Sequence, residues 1–140
     1  MDLNKESILL HKANKGKLEV ISKVKINNKK DLSLLYTPGV GGVCLEIKKK
    51  PSLAKELTSS KNTVVVITDG SAVLGFGDIG VIPSLPVMEG KAALFKEFAG
   101  VDAFPITIDT RDVDSFVNTV KLISKTFGGI NLGYFSSKML

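Results

Sequence analysis

With 140 residues, 44% of them apolar, the chain is long enough for one domain with its own core and too apolar for a disordered segment. No apolar run nears the roughly 20 residues of a membrane span. MDLNKESILLHKANKGK has no signal-peptide stretch and the lone Cys44 cannot close an internal disulfide, so a cytoplasmic, reducing setting without a membrane is expected. The +5 charge rests on clustered lysines with one arginine and 6% aromatics, so it reads as solvated surface with some attraction for a small anionic substrate, and no nucleic-acid partner is expected.

Residues 3–13 fit a short helix burying Ile8, Leu9 and Leu10. Leu18–Val24 alternates loosely and fits a strand. Asp31–Tyr36 reads as a helical turn, after which Thr37 is a natural N-cap and Pro38 a first helical residue. The helix that follows places Val40, Val43, Cys44 and Ile47 on one face and ends in Lys48–Lys50, which complement the negative end of its dipole. Pro51 opens another short helix through Leu57. Thr63–Thr68 is a continuous β-branched run, the pattern of a strand covered on both faces. Residues 87–99 read as a helix and Ala103–Ile108 as a second buried strand. Asp112–Phe127 forms a third helix with Phe116, Val120, Ile123 and Phe127 at helical spacing, ended by Gly128-Gly129. Ile130–Leu132 begins a further strand. Strand, helix, strand, helix, strand implies an α/β fold with a mostly parallel sheet, flanking helices and right-handed crossovers.

Between the first strand and the next helix lies Gly75-Phe76-Gly77-Asp78-Ile79-Gly80, which matches the G-x-G-x-x-G of dinucleotide loops. Its placement argues against that role. Six residues, Asp69 to Leu74, separate it from the strand, and Pro83 and Pro86 argue against a helix starting after Gly80. No acidic residue stands at the right distance at the end of the next strand. A glycine-rich connection that lets backbones pack closely is the better reading, and no cofactor-binding residue is assigned.

Lys91 and Tyr36 occupy unusual positions. On the helical wheel Val87, Met88, Leu94, Phe95 and Phe98 form an apolar stripe with Lys91 at its centre. Such a lysine snorkels, pairs with a carboxylate, or faces a polar pocket in which burial lowers its pKa enough to accept a proton near neutrality. Tyr36 precedes the Thr37-Pro38 cap. It is either a half-buried member of a hydrophobic staple or a phenol beside an anion-binding helix terminus, able to donate a proton to a bound carboxylate.

Taken in order, Tyr36-Thr37-Pro38-Gly39-Val40, ITDGSAVLGFGDIG, PVMEGKAALFKEFAGVDAFPITIDT and TFGGINL resemble the N-terminal domain of malic enzyme, the short bacterial type above all, over roughly residues 17–132. The resemblance implies oxidation of L-malate with NAD or NADP and decarboxylation to pyruvate on Mg²⁺ or Mn²⁺. It implies that Tyr36 is the general acid that protonates enolpyruvate and that Lys91 is the base that takes the malate hydroxyl proton. It further implies that the segment containing Gly70, Ser71, Ala72, Gly75 and Gly77 lines the malate site. Larger relatives have an arginine after Asp-Gly where this chain has Ser71-Ala72, so carboxylate recognition falls partly to backbone groups.

The similarity stops where the family continues Gly-Gly-Ile-Asn-Leu with Glu-Asp, its first two metal ligands. Gly133 and Tyr134 stand there, followed by a divergent tail, residues 133–140. Neither can replace a carboxylate on a hard cation. The resemblance therefore implies an N-terminal domain without the metal ligands or the NAD-binding domain, carrying half an active site and inactive alone. A split or frameshifted gene, a natural truncation or an engineered fragment would each produce it. Partners are expected to be L-malate or pyruvate, and a second copy in a homodimer or a missing C-terminal half. The alternatives are a non-catalytic module binding a dicarboxylate or a partner chain, and a metal-free enzyme of proton transfer on a keto acid.

Overall fold

The computed structural model describes residues 2–133, Phe135 and Ser136. In chain order the elements are α1 (Leu3–Asn14), α2 (Lys29–Leu35), α3 (Val40–Lys49), α4 (Ala54–Leu57), β1 (Thr63–Thr68), α5 (Val81–Ala99), β2 (Asp102–Thr107), α6 (Val113–Ile123) and β3 (Gly129–Leu132). Single 3-10 turns cover Pro51–Leu53, Ser59–Asn62 and Ser124–Thr126. Two compact units result, one from Met1–Leu18 with Asn62–Leu140 and one from Glu19–Lys61. Tyr134 and residues 137–140 of the divergent tail lie outside the described residues.

The larger unit is the expected α/β arrangement. Its three strands are all parallel in the order β2-β1-β3, with Thr63 opposite Asp102 and Val64 opposite Gly129. The β-branched run makes β1 the central strand, and Val65, Val66 and Ile67 are fully buried. Val65 and Ile67 pack with Phe116 of α6, joined by Ile106, Val120, Ile123, Phe127 and Phe135, so the predicted stripe of α6 is the core face. Asp112 caps that helix by accepting the Ser115 N–H at 2.7 Å. The crossover through α5 runs from β1 out to β2, and the one through α6 runs back from β2 past β1 to β3. Right-handed crossovers in opposite directions put their helices on opposite faces. The helix α5 therefore covers the other face of the sheet and buries Ser84, Met88 and Ala92.

Several expectations are corrected. The helix α5 begins at Val81, directly after Gly80, despite two prolines. Pro83 falls in the first turn, where no N–H is needed, and exposed Pro86 removes one interior hydrogen bond from a helix otherwise held against β1 and β2. Leu94 and Phe98 of its expected stripe are exposed, Phe98 by 82%. On α1, Ile8, Leu9 and Leu10 are exposed, since three consecutive residues spread around a helix and cannot share one buried face. Leu18–Val24 has no regular structure, because no neighbouring strand offers it a ladder.

In the smaller unit Asn28 caps α2 by accepting the Asp31 N–H, while the Asp31 carboxylate accepts the Asn27 N–H, a reciprocal cap. The helix α3 has Val40, Val43 and Ile47 partly buried, whereas Cys44 is exposed. The short helix expected after Pro51 is a 3-10 turn leading into α4.

Candidate functional site

In open α/β sheets ligands bind beyond the carboxyl ends of the strands, where the strand order reverses. Here that point is the end of β1, flanked by β2 on one side and β3 on the other. The sheet itself presents the chain there: Ile108 donates its N–H to the Thr68 carbonyl and Gly133 donates its N–H to the Ile67 carbonyl.

Lys91 reaches this end from α5. It is half-buried, and a Cβ built on Gly133 would stand 2.8 Å from its Nζ. The ammonium thus uses room that exists because residue 133 has no side chain.

The loop from Asp69 to Gly80 forms the rest of the rim. It closes on itself, with the N–H groups of Ile79 and Gly80 both donating to the Gly70 carbonyl at 3.3 Å. Gly70 has φ +73°, and a Cβ on it would lie 2.4 Å from the Gly80 carbonyl oxygen, so only glycine allows this closure. Gly75 and Gly77 do not serve close packing, as the sequence suggested, because a Cβ on either would meet nothing within 4 Å. Their N–H groups, with that of Leu74, have no acceptor among the described residues and lie on an exposed tip.

Ser71 is buried, and both sides of its hydroxyl are engaged. It donates to Asp69 Oδ1 at 2.7 Å and accepts the Ser136 N–H at 2.9 Å. Asp69 Oδ1 also accepts the Ser71 N–H, while Oδ2 is buried with no partner among the described residues. Ala72 is half-buried beside them. Lys91, Gly70, Ser71 and Ala72 therefore belong to one unit, at or next to one end of its sheet.

Tyr36 belongs to the other unit. It ends α2, donating its N–H to Leu32, and its carbonyl accepts the Val40 N–H. The residue is 67% exposed, which does not fit the half-buried staple. The anion-binding terminus expected beside it is corrected. Thr37 makes no cap, the Thr37–Pro38 bond is cis, and α3 starts at Val40 behind Gly39. The N–H groups of Gly39, Val40, Gly41 and Gly42 donate to Ser33, Tyr36, Pro38 and Gly39, so none of these four points at a ligand.

Sequence reasoning passed over Arg111, which joins the rim from the segment after β2. Its guanidinium forks onto Asp78, with Nη2 to Oδ1 at 2.8 Å and Nε to Oδ2 at 3.2 Å, and Nη1 donates to the Asp69 carbonyl at 2.7 Å. Being the one arginine, placed just past a strand end, was the available signal.

The described residues do not fit a resident divalent cation. No three His, Cys, Asp or Glu side chains among them gather as a ligand set, and the space at residue 133 faces an ammonium. Nor does the glycine loop fit a dinucleotide. Although α5 starts right after it, the Asp78 carboxylate already accepts the Gly80 N–H at the helix terminus, where it would oppose a pyrophosphate.

The model of the family "Malic enzyme, N-terminal domain" matches residues 15–113. The bifunctional malic/malolactic enzyme of Bacillus subtilis is 57% identical over 132 residues, covering 94% of this chain and 32% of the relative. The NAD-dependent malic enzyme of Geobacillus stearothermophilus is 56% identical over 117 residues, 84% of this chain and 24% of the relative. The crystal structure of malic enzyme from Pyrococcus horikoshii superposes with a TM-score of 0.94 at 48% identity, covering 96% of this chain and 32% of that one. The chain thus spans about a third or less of the length of these relatives.

Proposed function

The chain belongs to the malic-enzyme N-terminal-domain family, and from that premise we propose that it supplies the proton-transfer half of a site that converts L-malate and NAD(P)⁺ to pyruvate, CO₂ and NAD(P)H. Lys91 is the base that takes the C2 hydroxyl proton as hydride leaves. Tyr36 is the acid that returns a proton to the enol carbon of the product. The N–H groups of Leu74, Gly75 and Gly77 meet a substrate carboxylate. The observation that carries this reading is the position of Lys91, whose Nζ lies against Gly133 at the reversing end of the sheet.

The described residues fit neither the cation nor the dinucleotide, so the chain is proposed to be inactive alone. Activity is assigned to their combination with a chain that carries those two sites. The test is NADH or NADPH formation from L-malate with Mn²⁺ by the purified chain, then with the C-terminal portion of a relative added. No turnover alone and turnover on addition, lost in Lys91→Ala, is expected. Turnover by the chain alone would overturn the half-site assignment. Metal-independent malate binding without turnover in either mixture would favour a dicarboxylate-binding module.

A further inference from the structure

We propose that Arg111 is a positioning residue for the glycine loop, locking it in the closed form that presents the N–H groups of Leu74, Gly75 and Gly77. This rests on the reading of that loop as the malate rim. Arg111 joins the two ends of the loop through one planar group. Nη1 holds the Asp69 carbonyl at 2.7 Å, at the end of β1, and also reaches the Thr110 carbonyl at 3.3 Å. Nε and Nη2 hold both oxygens of Asp78, whose Oδ1 accepts the Gly80 N–H at 3.1 Å at the start of α5. The guanidinium therefore bridges strand end to helix start across a loop whose tip, among the described residues, makes only the internal bonds Val73 to Gly77 and Phe76 to Val73.

The arrangement acts through geometry more than through ion-pair energy. Arg111 and Asp78 side chains are 45% and 52% exposed, where an ion pair alone contributes little. A bidentate fork with a third acceptor in its plane fixes distances that a point charge cannot. Lysine at this position keeps the charge and loses the bridge.

The experiment follows amide hydrogen exchange across the full chain for the native protein, Arg111→Lys, Arg111→Met and Asp78→Asn. Exchange at the hydrogen-bonded loop amides of Val73, Phe76 and Ile79 is expected to rise about tenfold in all three variants, with β1 amides unchanged. A general loss of stability would instead move β1 with the loop. Loop exchange within about twofold of the native chain in Arg111→Lys would overturn the proposal, as would a rise shared equally by β1. Asp78→Asn opens the same fork from the other side, so the test holds even where an Arg111 variant folds poorly. A parallel titration with L-malate separates the two ideas. Absence of malate binding by the native chain counts against the rim reading, while the exchange pattern still decides the role of Arg111.

Discussion

Lys91 and Gly133 share one small space: the Nζ of the lysine lies 2.8 Å from where a side chain on the glycine would begin. In Gly133→Ala the ammonium must move away, and because it is the far end of a flexible chain it can do so at little cost to folding. A crystal structure of the variant is expected to show Lys91 Nζ displaced and the backbone of β3 in place. An alanine methyl accommodated with Nζ unmoved would contradict this.

The closure of the glycine loop predicts opposite outcomes at two glycines. Gly70→Ala combines a positive φ with a contact of 2.4 Å to backbone and should lose about 2–4 kcal/mol, or fail to fold. Gly75→Ala enters open space and should stay within about 0.5 kcal/mol of the native chain. Urea unfolding of both variants checks the contrast, and equal effects would show that the loop is not closed at Gly70.

Phe116 anchors the face of the sheet covered by α6 and meets Phe135 edge-on, with ring centroids 5.0 Å apart at 77°. Phe116→Ala should destabilise by about 3–5 kcal/mol through the cavity it leaves. Phe135→Leu retains apolar volume and should lose about 1 kcal/mol, mainly the ring contact. Thermal or urea denaturation measures both, and a near-neutral Phe116→Ala would mean that the core lies elsewhere.

Asp112 adds a pH dependence. Hydrogen bonds from the Ser115 side chain and then from its backbone N–H hold the carboxyl below the ordinary aspartate range, against a smaller opposing effect of burial. A lowered folded-state pKa stabilises above the unfolded value and is lost as pH falls through the folded one. Asp112→Ala should therefore lower the urea midpoint at neutral pH, with the gap to the native chain closing as the pH falls through the lowered folded-state value. A gap that persists in acid would assign the effect to something other than the ionised cap.

The most legible parts of the sequence were those where one local pattern decides. Thr63–Thr68 reads as a strand covered on both faces and is one. Phe116, Val120, Ile123 and Phe127 read as one core-facing stripe and are, although α6 itself ends at Ile123 and Phe127 follows a 3-10 turn. The start of α5 was hidden because Pro83 and Pro86 look like breakers unless the register of the first turn is known. Leu18–Val24 alternates like a strand, but a ladder requires a neighbour, which local sequence does not reveal. Lys91 stood out by its place in an apolar stripe, whereas Arg111 did not, since its partners Asp69 and Asp78 come together only once the loop has folded.

The central position of β1 also sets the order in which the chain must assemble. Every ladder bond that β1 makes joins it to a strand made later, to β2 after α5 and to β3 after α6. During synthesis Val65, Val66 and Ile67 therefore leave the ribosome as a bare β-branched segment and wait for both neighbours. Non-local parallel pairing is slow to form and leaves such segments open to intermolecular pairing meanwhile. The strand that gives this fold its core is thus also the part most dependent on protection while the rest is being made.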